Sequence, residues 1–536
     1  MAAENQFEVP SSASAFPVGI VGAGVMGAGI AQVAVLAGHP VRLFDARPGA
    51  AAAAVGRILA AIDELARKQK IDSSQASGAP RRLSAVDSIG MLGDCGLVVE
   101  AIFEDLEAKR ALFRELEQVA GPQTLFATNT SSLSITAIAA KLEHPPQLAG
   151  MHFFNPAPVM PLVEIVRGAA TDPGVANELH ELARRWGKIP VSARSTPGFI
   201  VNRVARPFYA EALRVLEERG AGCATIDAVM RECGGFRMGP FELMDLIGND
   251  VNYAVTRSVF EAFNGDPRFT PSNLQLELVQ AGYLGRKSGH GFYEYHAGRP
   301  VAAPSTAPPH PAPLRIQIFG DTPLARRLAM RLSASGVQFE RASAHPDERI
   351  AGCDDGVLYR TDGRAATSRA AANGAPNTIL MDIACDDCSA TRAAIAAADQ
   401  ADPEALRAAI GLLQSAGYAV SPIGDLPGMI VLRTVAMLAN LAADAVNEDV
   451  CSIADLDLAM CKGMNYPRGP LAWADAIGID AIVRALDHLA AVYGAGRYRA
   501  SPLLRRMALT GSCFLGRDNS SAAPARRDAI YEAVRG

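Results

Sequence analysis

The sequence predicts two α/β domains alternating with two all-α domains: a doubly wound α/β domain, a helical domain, a degenerate version of the first and a duplicate of the second. Three observations carry this. A glycine-rich turn, Gly22-Ala23-Gly24-Val25-Met26-Gly27, lies between a buried-strand pattern and a helix pattern. From Thr196 the hydrophobic period becomes that of helices, with few strand signals. The motif Thr196-Pro197-Gly198-Phe199-Ile200-Val201 then returns 230 residues later as Leu426-Pro427-Gly428-Met429-Ile430-Val431.

The first element is the strand Val18-Gly19-Ile20-Val21, which runs into the glycine turn. A helix follows from about Met26 to Leu36, and a second strand, Val41 to Phe44, ends at Asp45. Together these form a βαβ unit about thirty residues long, the context of a Rossmann dinucleotide fingerprint. Gly22 and Gly24 allow a tight turn and close approach to a pyrophosphate, and Gly27 lets helix and strand pack closely. The free N–H groups of the helix start, around Val25 and Met26, face the phosphates. Asp45 stands where an acid accepts hydrogen bonds from the adenosine ribose and repels a 2′-phosphate, which favours NAD; Arg47 beside it is the feature that would suit NADP. A later strand, Leu97 to Ile102, leads to Glu104 and the amphipathic helix Leu106 to Val119, which carries Lys109. The strand Leu125 to Thr128 ends in Asn129-Thr130-Ser131-Ser132, at the strand ends where open α/β sheets bind ligands.

The helical domain closes near Gly285 to Tyr293, and the proline-rich stretch after it reads as a semi-rigid linker. At the 230-residue offset Arg203 meets Arg433, Asp227 meets Asp457, Gly239-Pro240 meets Gly469-Pro470, Asp245 meets Asp475, Gly248 meets Gly478 and Asp250 meets Asp480. Between the copies, Arg315 to Gly320 mimics the opening strand and first glycine, but Asp321-Thr322-Pro323-Leu324-Ala325 lacks the other two glycines. An acid and a proline there oppose pyrophosphate binding, so this module is expected to be structural. The expected divisions are a disordered leader over 1–16, a Rossmann domain over 17–195, a helical domain over 196–297, a linker over 298–313, a degenerate Rossmann-like domain over 314–422, a second helical domain over 423–515 and a tail over 516–536.

At 536 residues the chain exceeds one ordinary core and divides into roughly three or four domains. With 49% hydrophobic and 20% charged residues and a net charge of -5, it reads as a globular enzyme without the basic surface that nucleic acid or an anionic membrane demands. No run approaches the ~18 apolar residues of a membrane span. The first sixteen residues lack the apolar core of a secretory signal, so a cytoplasmic location is expected. The nine cysteines are scattered, and the pair Cys385 and Cys388 lacks the second pair of a zinc ribbon, so neither a disulfide framework nor a metal site is expected.

The chemistry centres on His152-Phe153-Phe154-Asn155-Pro156, followed by Glu164 within a Val/Ile run. Oxidising an alcohol needs a base for the hydroxyl proton, and a histidine oriented by a carboxylate provides one. Ser131 and Asn202 are candidates to donate hydrogen bonds to substrate oxygens. Taken singly, each also reads as ordinary structure: a satisfied histidine, the outer face of a strand, a helix cap, a polar contact.

Together, these blocks strongly resemble the (S)-3-hydroxyacyl-CoA dehydrogenases. The matching stretches are Asn129-Thr130-Ser131-Ser132-Leu133, His152 to Pro156, Pro197-Gly198-Phe199-Ile200-Val201-Asn202-Arg203 and the Gly285 to Tyr293 ending. The resemblance covers about Val18 to Tyr295 and again Leu426 to about Met507. It implies NAD-dependent oxidation of (S)-3-hydroxyacyl-CoA to 3-oxoacyl-CoA, with His152 as base, Glu164 as its partner, and Ser131 and Asn202 at the substrate. It places cofactor contacts on Gly22, Gly24, Val25, Met26, Gly27, Asp45, Glu104, Lys109 and Asn129. Substrate contacts fall on Ser131, Asn155 and Asn202. Arg67 and Lys68 are candidates for the CoA phosphates, although a basic run on a helix also reads as a solvated face. Leu432 occupies the position of Asn202, so the second helical copy has lost the substrate contact. Short family members pair through their helical domains, so the duplicate is expected to pair within the chain, with a homodimer as the other arrangement.

The arrangement resembles the long bacterial subgroup, which includes 3-hydroxyadipyl-CoA dehydrogenases of phenylacetate degradation and some 3-hydroxybutyryl-CoA dehydrogenases. Adipyl is the expected acyl chain, by analogy, and butyryl the alternative. The reading from another class is a non-catalytic dinucleotide-binding structural protein, which would have no need of the full set of His152, Glu164, Ser131 and Asn202.

Overall fold

The computed structural model describes residues 15–297, 299–300, 302–385 and 389–516. The leader up to residue 14, Cys388, positions 298 and 301 of the linker, and the tail from 517 lie outside the described residues. The described chain forms two compact units. One consists of the chain up to Arg214 with Phe236–Ala302 and Ala445–Pro467, and the other of Val215–Gly235, Ala303–Asp444 and the chain from Arg468 onward.

The first unit is built on an eight-stranded sheet of β1 (Val18–Val21), β2 (Val41–Phe44), β3 (Leu83–Ala85), β4 (Leu97–Glu100), β5 (Leu125–Thr128), β6 (Leu148–Phe153), β7 (Leu162–Arg167) and β8 (Ile189–Arg194). Their order is β3-β2-β1-β4-β5-β6-β7-β8, parallel throughout except where β7 runs against β6. Strands β1, β4 and β5 are buried along their whole length, as continuous Val/Ile/Leu runs demand of a sheet covered on both faces. The chain reverses its strand order at β1, so the crevice beyond β1 and β4 is the ligand position of a doubly wound sheet. The helix Val25–Leu36 starts there and buries Gly27, Gly29 and the run Ile30 to Val35. The strand Leu97 to Ile102 expected from sequence ends at Glu100, because Ala101 and Ile102 turn away over the glycine loop. A two-stranded ribbon of β9 (Tyr295–His296) and β10 (Arg299–Pro300) follows the helical part.

The second unit carries a seven-stranded sheet of β11 (Ile316–Phe319), β12 (Glu340–Ala342), β13 (Arg349–Cys353), β14 (Gly356–Arg360), β15 (Thr378–Met381), β16 (Arg392–Ala397) and β17 (Ala419–Pro422), in the order β12-β11-β13-β14-β15-β16-β17. It is the first sheet reduced by one edge strand, with β13 reversed against β11. The helix Pro323–Ala334 begins on Pro323, and the Thr322 hydroxyl caps it by accepting from the Ala325 N–H at 3.2 Å. A side chain thus occupies the helix end where the first sheet leaves its N–H groups open. The proline-rich segment is strapped down rather than free: Ala307 N–H donates to the Val420 carbonyl and His310 N–H to Gln414.

The duplication reaches further than the motifs after Thr196. Strand β16 stands 230 residues after β7, and the helix Pro403–Ser415 stands the same distance after Pro173–Arg185, with Asp402 and Asp172 as N-caps before a first-turn proline. The segment Val215–Gly235 of the second unit and the segment Ala445–Pro467 of the first correspond at that offset. Each unit therefore contains a piece of the other copy's sequence. The paired aspartates explain themselves: Asp245 accepts from the N–H groups of Phe292 and Tyr293, and Asp475 from those of Phe514 and Leu515. Both fasten the closing segment of their helical copy.

Candidate active site

Strand register assembles the centre of the site. In the antiparallel pair β6/β7, His152 lies directly opposite Glu164, and directly opposed residues share a face of the sheet. The His152 Nδ1 meets Glu164 Oε2 at 2.6 Å. His152 is 6% exposed and Glu164 fully buried. The other carboxylate oxygen, Oε1, accepts the N–H groups of Ile200 at 3.1 Å and Val201 at 3.0 Å, the start of the short helix Val201–Val204. Gly198 and Phe199 both adopt left-handed backbone there, which turns the chain so that two successive amides aim at one oxygen. A buried carboxylate with both oxygens engaged is held in one orientation and fixes the ring that binds it. Phe154 and Phe199 flank the imidazole, at ring-centre distances of 4.6 and 5.8 Å. Nε2 makes no hydrogen bond among the described residues and is the nitrogen left for a substrate proton.

The helix turn that holds Glu164 also carries Asn202, whose Nδ2 donates to the Ser131 carbonyl at 3.4 Å. Ser131 and Asn202 are thereby brought together. Asn129 is held by its own oxygen, which accepts the Phe153 N–H at 2.8 Å next to His152. Asn155 is exposed just beyond β6.

The dinucleotide crevice is equally defined. Gly22 has positive φ, and a Cβ there would lie 2.5 Å from the Ala101 carbonyl oxygen; a Cβ on Gly27 would lie 1.8 Å from the Gly22 oxygen. Gly24, by contrast, faces open space, and the helix beginning after it has no side-chain cap and no acid in its first turn. That is a cradle fit for a pyrophosphate, with N–H donors unspent. Asp45 Oδ2 accepts the Ala23 N–H at 2.8 Å, and both its oxygens pair with Arg47. The Arg47 guanidinium, with the Ala23 and Arg47 amides, holds Asp45 down at about 2 against its partial burial. Arg47 is therefore engaged by Asp45, and the acid is charged at every working pH.

Glu104 binds the strand-end cluster: one oxygen accepts from the Thr130 hydroxyl at 2.6 Å, the Ser131 and Ser132 amides at 3.1 Å and the Ser132 hydroxyl at 2.9 Å. Burial would raise its titration, but the Thr130 and Ser132 hydrogen bonds, the Lys109 ammonium and the Ser131 amide together hold it below the ordinary range. Lys109 is 1% exposed, and its ammonium meets Glu100 at 2.6 Å and Glu104 at 3.4 Å. It faces the crevice only through Glu104. Arg67 and Lys68 lie far out on the end of the helix Ala50–Arg67, exposed and both paired with Glu64.

Glu100, the buried partner of Lys109, was not singled out from sequence, because there it reads as one residue inside the strand Leu97 to Ile102. Glu448 was also missed. It pairs with the buried Arg203 at 2.9 Å.

In the second sheet, the position of Glu164 is Ala394 and that of His152 is Asp382. The Asp382 carboxylate accepts from the amides of Ile430 at 2.9 Å, Val431 at 2.7 Å and Leu432 at 3.2 Å. The anchoring of the helix start has thus been kept while the histidine is gone.

With this geometry in place, comparison with known proteins decides the lineage. The family model for the 3-hydroxyacyl-CoA dehydrogenase NAD-binding domain matches residues 17–196, and that for the family's C-terminal domain matches 198–295 and again 428–520. A 3-hydroxyadipyl-CoA dehydrogenase of Escherichia coli K12 is 44% identical over 93% of this chain and 98% of its own. The chain belongs to the 3-hydroxyacyl-CoA dehydrogenase family. A third model, the reduced Rossmann-fold domain of 3-hydroxybutyryl-CoA dehydrogenase, matches 358–427, within the second sheet. A solved 3-hydroxybutyryl-CoA dehydrogenase of E. coli K12 superposes with a TM-score of 0.84 at 43% identity, covering 93% of this chain and 99% of that one. A probable 3-hydroxybutyryl-CoA dehydrogenase of Bacillus subtilis is 40% identical over 52% of this chain and 96% of its own, so short relatives match about half of it. As a member of this family the chain is an NAD-dependent oxidoreductase acting on 3-hydroxyacyl-CoA thioesters. Among the described residues no helix is long and apolar enough to cross a membrane, and no cluster of His, Cys, Asp and Glu is arranged to hold a metal.

Proposed function

We propose that the chain oxidises (S)-3-hydroxyadipyl-CoA to its 3-oxo product in the cytoplasm, as a step of phenylacetate breakdown, with His152 as the base. The 2.6 Å bond from His152 Nδ1 to Glu164 supports the base assignment, because it fixes the proton on Nδ1 and leaves Nε2 to take the hydroxyl proton. Glu164 then stabilises the imidazolium that forms. Bound NAD supplies the hydride acceptor. The Gly22–Gly27 turn, the helix start at Val25 and Met26, Asp45, Asn129 and Glu104 hold it, with Lys109 acting through Glu104. Ser131 and Asn202 donate hydrogen bonds to the substrate oxygens, Asn155 lines the entrance, and Arg67 and Lys68 meet the CoA phosphates.

The adipyl chain is favoured by the relative of that name, which matches over nearly the full length of both proteins. Butyryl is the second reading, favoured by the solved full-length neighbour named for it. Comparing kcat/KM for (S)-3-hydroxyadipyl-CoA and (S)-3-hydroxybutyryl-CoA with NAD decides between them. A preference for butyryl retires the dicarboxylate. The same reading has the duplicated helical copy pairing within the chain, as short members pair between chains, and the whole protein as monomer or homodimer. The presence of Ala445–Pro467 in the first unit supports this pairing.

A further inference from the structure

Arg203 follows Asn202 in the helix turn that anchors Glu164, yet its guanidinium is 1% exposed and touches no carboxylate of its own helical copy. Its one ion-pair partner among the described residues is Glu448, which the second copy contributes to this unit. The other face of the guanidinium lies over the Phe263 ring, 5.0 Å from its centre. The second unit holds the reciprocal pair: Arg433 meets Glu218 at 2.9 Å and lies 4.8 Å over the Tyr493 ring. All three residues stand 230 positions from their counterparts.

The two pairs are not equivalent. Arg433 also donates to the hydroxyls of Tyr498 and Tyr493, so it keeps polar partners if Glu218 is lost. Phe263 offers no hydroxyl, so among the described residues Glu448 is the one polar partner of the Arg203 guanidinium. The same exchanged segment also backs the catalytic anchor. Val450 accepts the Arg194 N–H at 2.8 Å, and Gly463 fits so tightly that a Cβ would lie 2.6 Å from Leu162 and 3.2 Å from Val201.

We propose that Glu448 is a positioning residue for the active site: by neutralising Arg203 it fixes the turn whose amides hold Glu164 and whose next residue is Asn202. A buried cation stripped of its one counter-charge moves toward solvent or another carboxylate, and it carries the turn with it. A shift of that turn loosens Glu164 and Asn202 together, which lowers the rate of the chemical step and leaves the distant nucleotide cradle untouched. The inference rests on the reading of His152, Glu164 and Asn202 as the reacting set.

The test uses the full chain, with Glu448→Gln, Glu448→Asp, Glu218→Gln and His152→Ala compared by kcat, KM, circular dichroism and NAD binding. Glu448→Gln is expected to lower kcat about tenfold or more with the NAD affinity of the parent, while Glu448→Asp recovers most of that loss. Glu218→Gln, which breaks the reciprocal pair, is expected to keep the parental kcat. The proposal is overturned if Glu448→Gln stays within about twofold of the parent, or if Glu218→Gln costs as much kcat as Glu448→Gln. Turnover surviving in His152→Ala sinks the base assignment itself, whatever Glu448 does.

Discussion

Two buried acids, Glu164 and Asp382, tie down the same helix start in the two copies, and they differ in what else they hold. Glu164 reaches the amides of Ile200 and Val201 from β7 and still has an oxygen for His152. Asp382 takes the histidine's own position and spends both oxygens on amides, the fourth donor being Ile383 at 2.8 Å. Glu164→Gln keeps the size but loses the charge facing the imidazolium, so kcat is expected to fall about a hundredfold or more with NAD affinity retained. His152→Ala is expected to cost about 10²–10⁴-fold in kcat/KM. For Asp382 the question is stability. An unfolded aspartate titrates near 3.9, whereas burial, set against the four amide donors, pushes Asp382 up to about 6. The fold thus favours the protonated acid; that contribution is complete below about pH 4 and lost as pH rises through about 6. Asp382→Asn stays neutral throughout, so in urea unfolding it should gain about 1–3 kcal/mol on the parent between pH 4 and pH 7. The opposite trend would mean that four N–H donors outweigh burial.

At the scale of elements, the glycine turn separates folding from binding. Gly27→Ala forces a Cβ to within 1.8 Å of the Gly22 oxygen, so strand and helix must part; a loss of about 2 kcal/mol or more in stability is expected, with NAD binding lost. Gly24→Ala meets nothing within 4 Å and sits at a φ of -68°, so its melting temperature should match the parent. The methyl fills space the pyrophosphate needs, and titration with NAD should show about tenfold weaker binding. Unchanged affinity would move the phosphates elsewhere. These elements were legible in the sequence because each rests on local pattern. The strand before Gly22, the helix Leu106–Val119 and the strand Leu125–Thr128 have apolar periods that their neighbours in the chain settle. The pairing of His152 with Glu164 was legible as motif, while its cause, the register of β6 against β7, was not. The degenerate second α/β domain was legible, but the constant 230-residue offset of its strands was hidden for a physical reason. Sheet strands tolerate any apolar residue, so β7 and β16 share position and burial with little identity, whereas the positive-φ turn at Gly198 and Gly428 accepts few residues and repeats visibly.

At the scale of the whole molecule, the partition of the sequence between the two units is the property least visible in the sequence. Glu448 and Glu218 are ordinary acids near helix ends, and nothing local says that each neutralises an arginine of the other copy. The duplication made the arginines conspicuous, but a charge names its partner only in three dimensions. This organisation bears directly on what half of the chain can do alone. A chain ending at residue 302 has the nucleotide cradle, His152, Glu164, Ser131 and Asn202, but lacks Ala445–Pro467, so Leu162 and Val201 lose the helix that Gly463 brings against them and Arg203 loses Glu448. It does retain Val215–Gly235, the 230-offset equivalent of the missing segment, with Glu218 in the place of Glu448. Two truncated chains are therefore each other's remedy, and the fragment is expected to be a dimer whose specific activity falls on dilution, because buried apolar surface and an unpaired buried cation both oppose the monomer. Light scattering across a dilution series, with activity read at each concentration, measures both. A fragment that stays monomeric, stable and as active as the full chain would show that the exchanged segment contributes nothing to the site, and would remove the case for pairing within the chain.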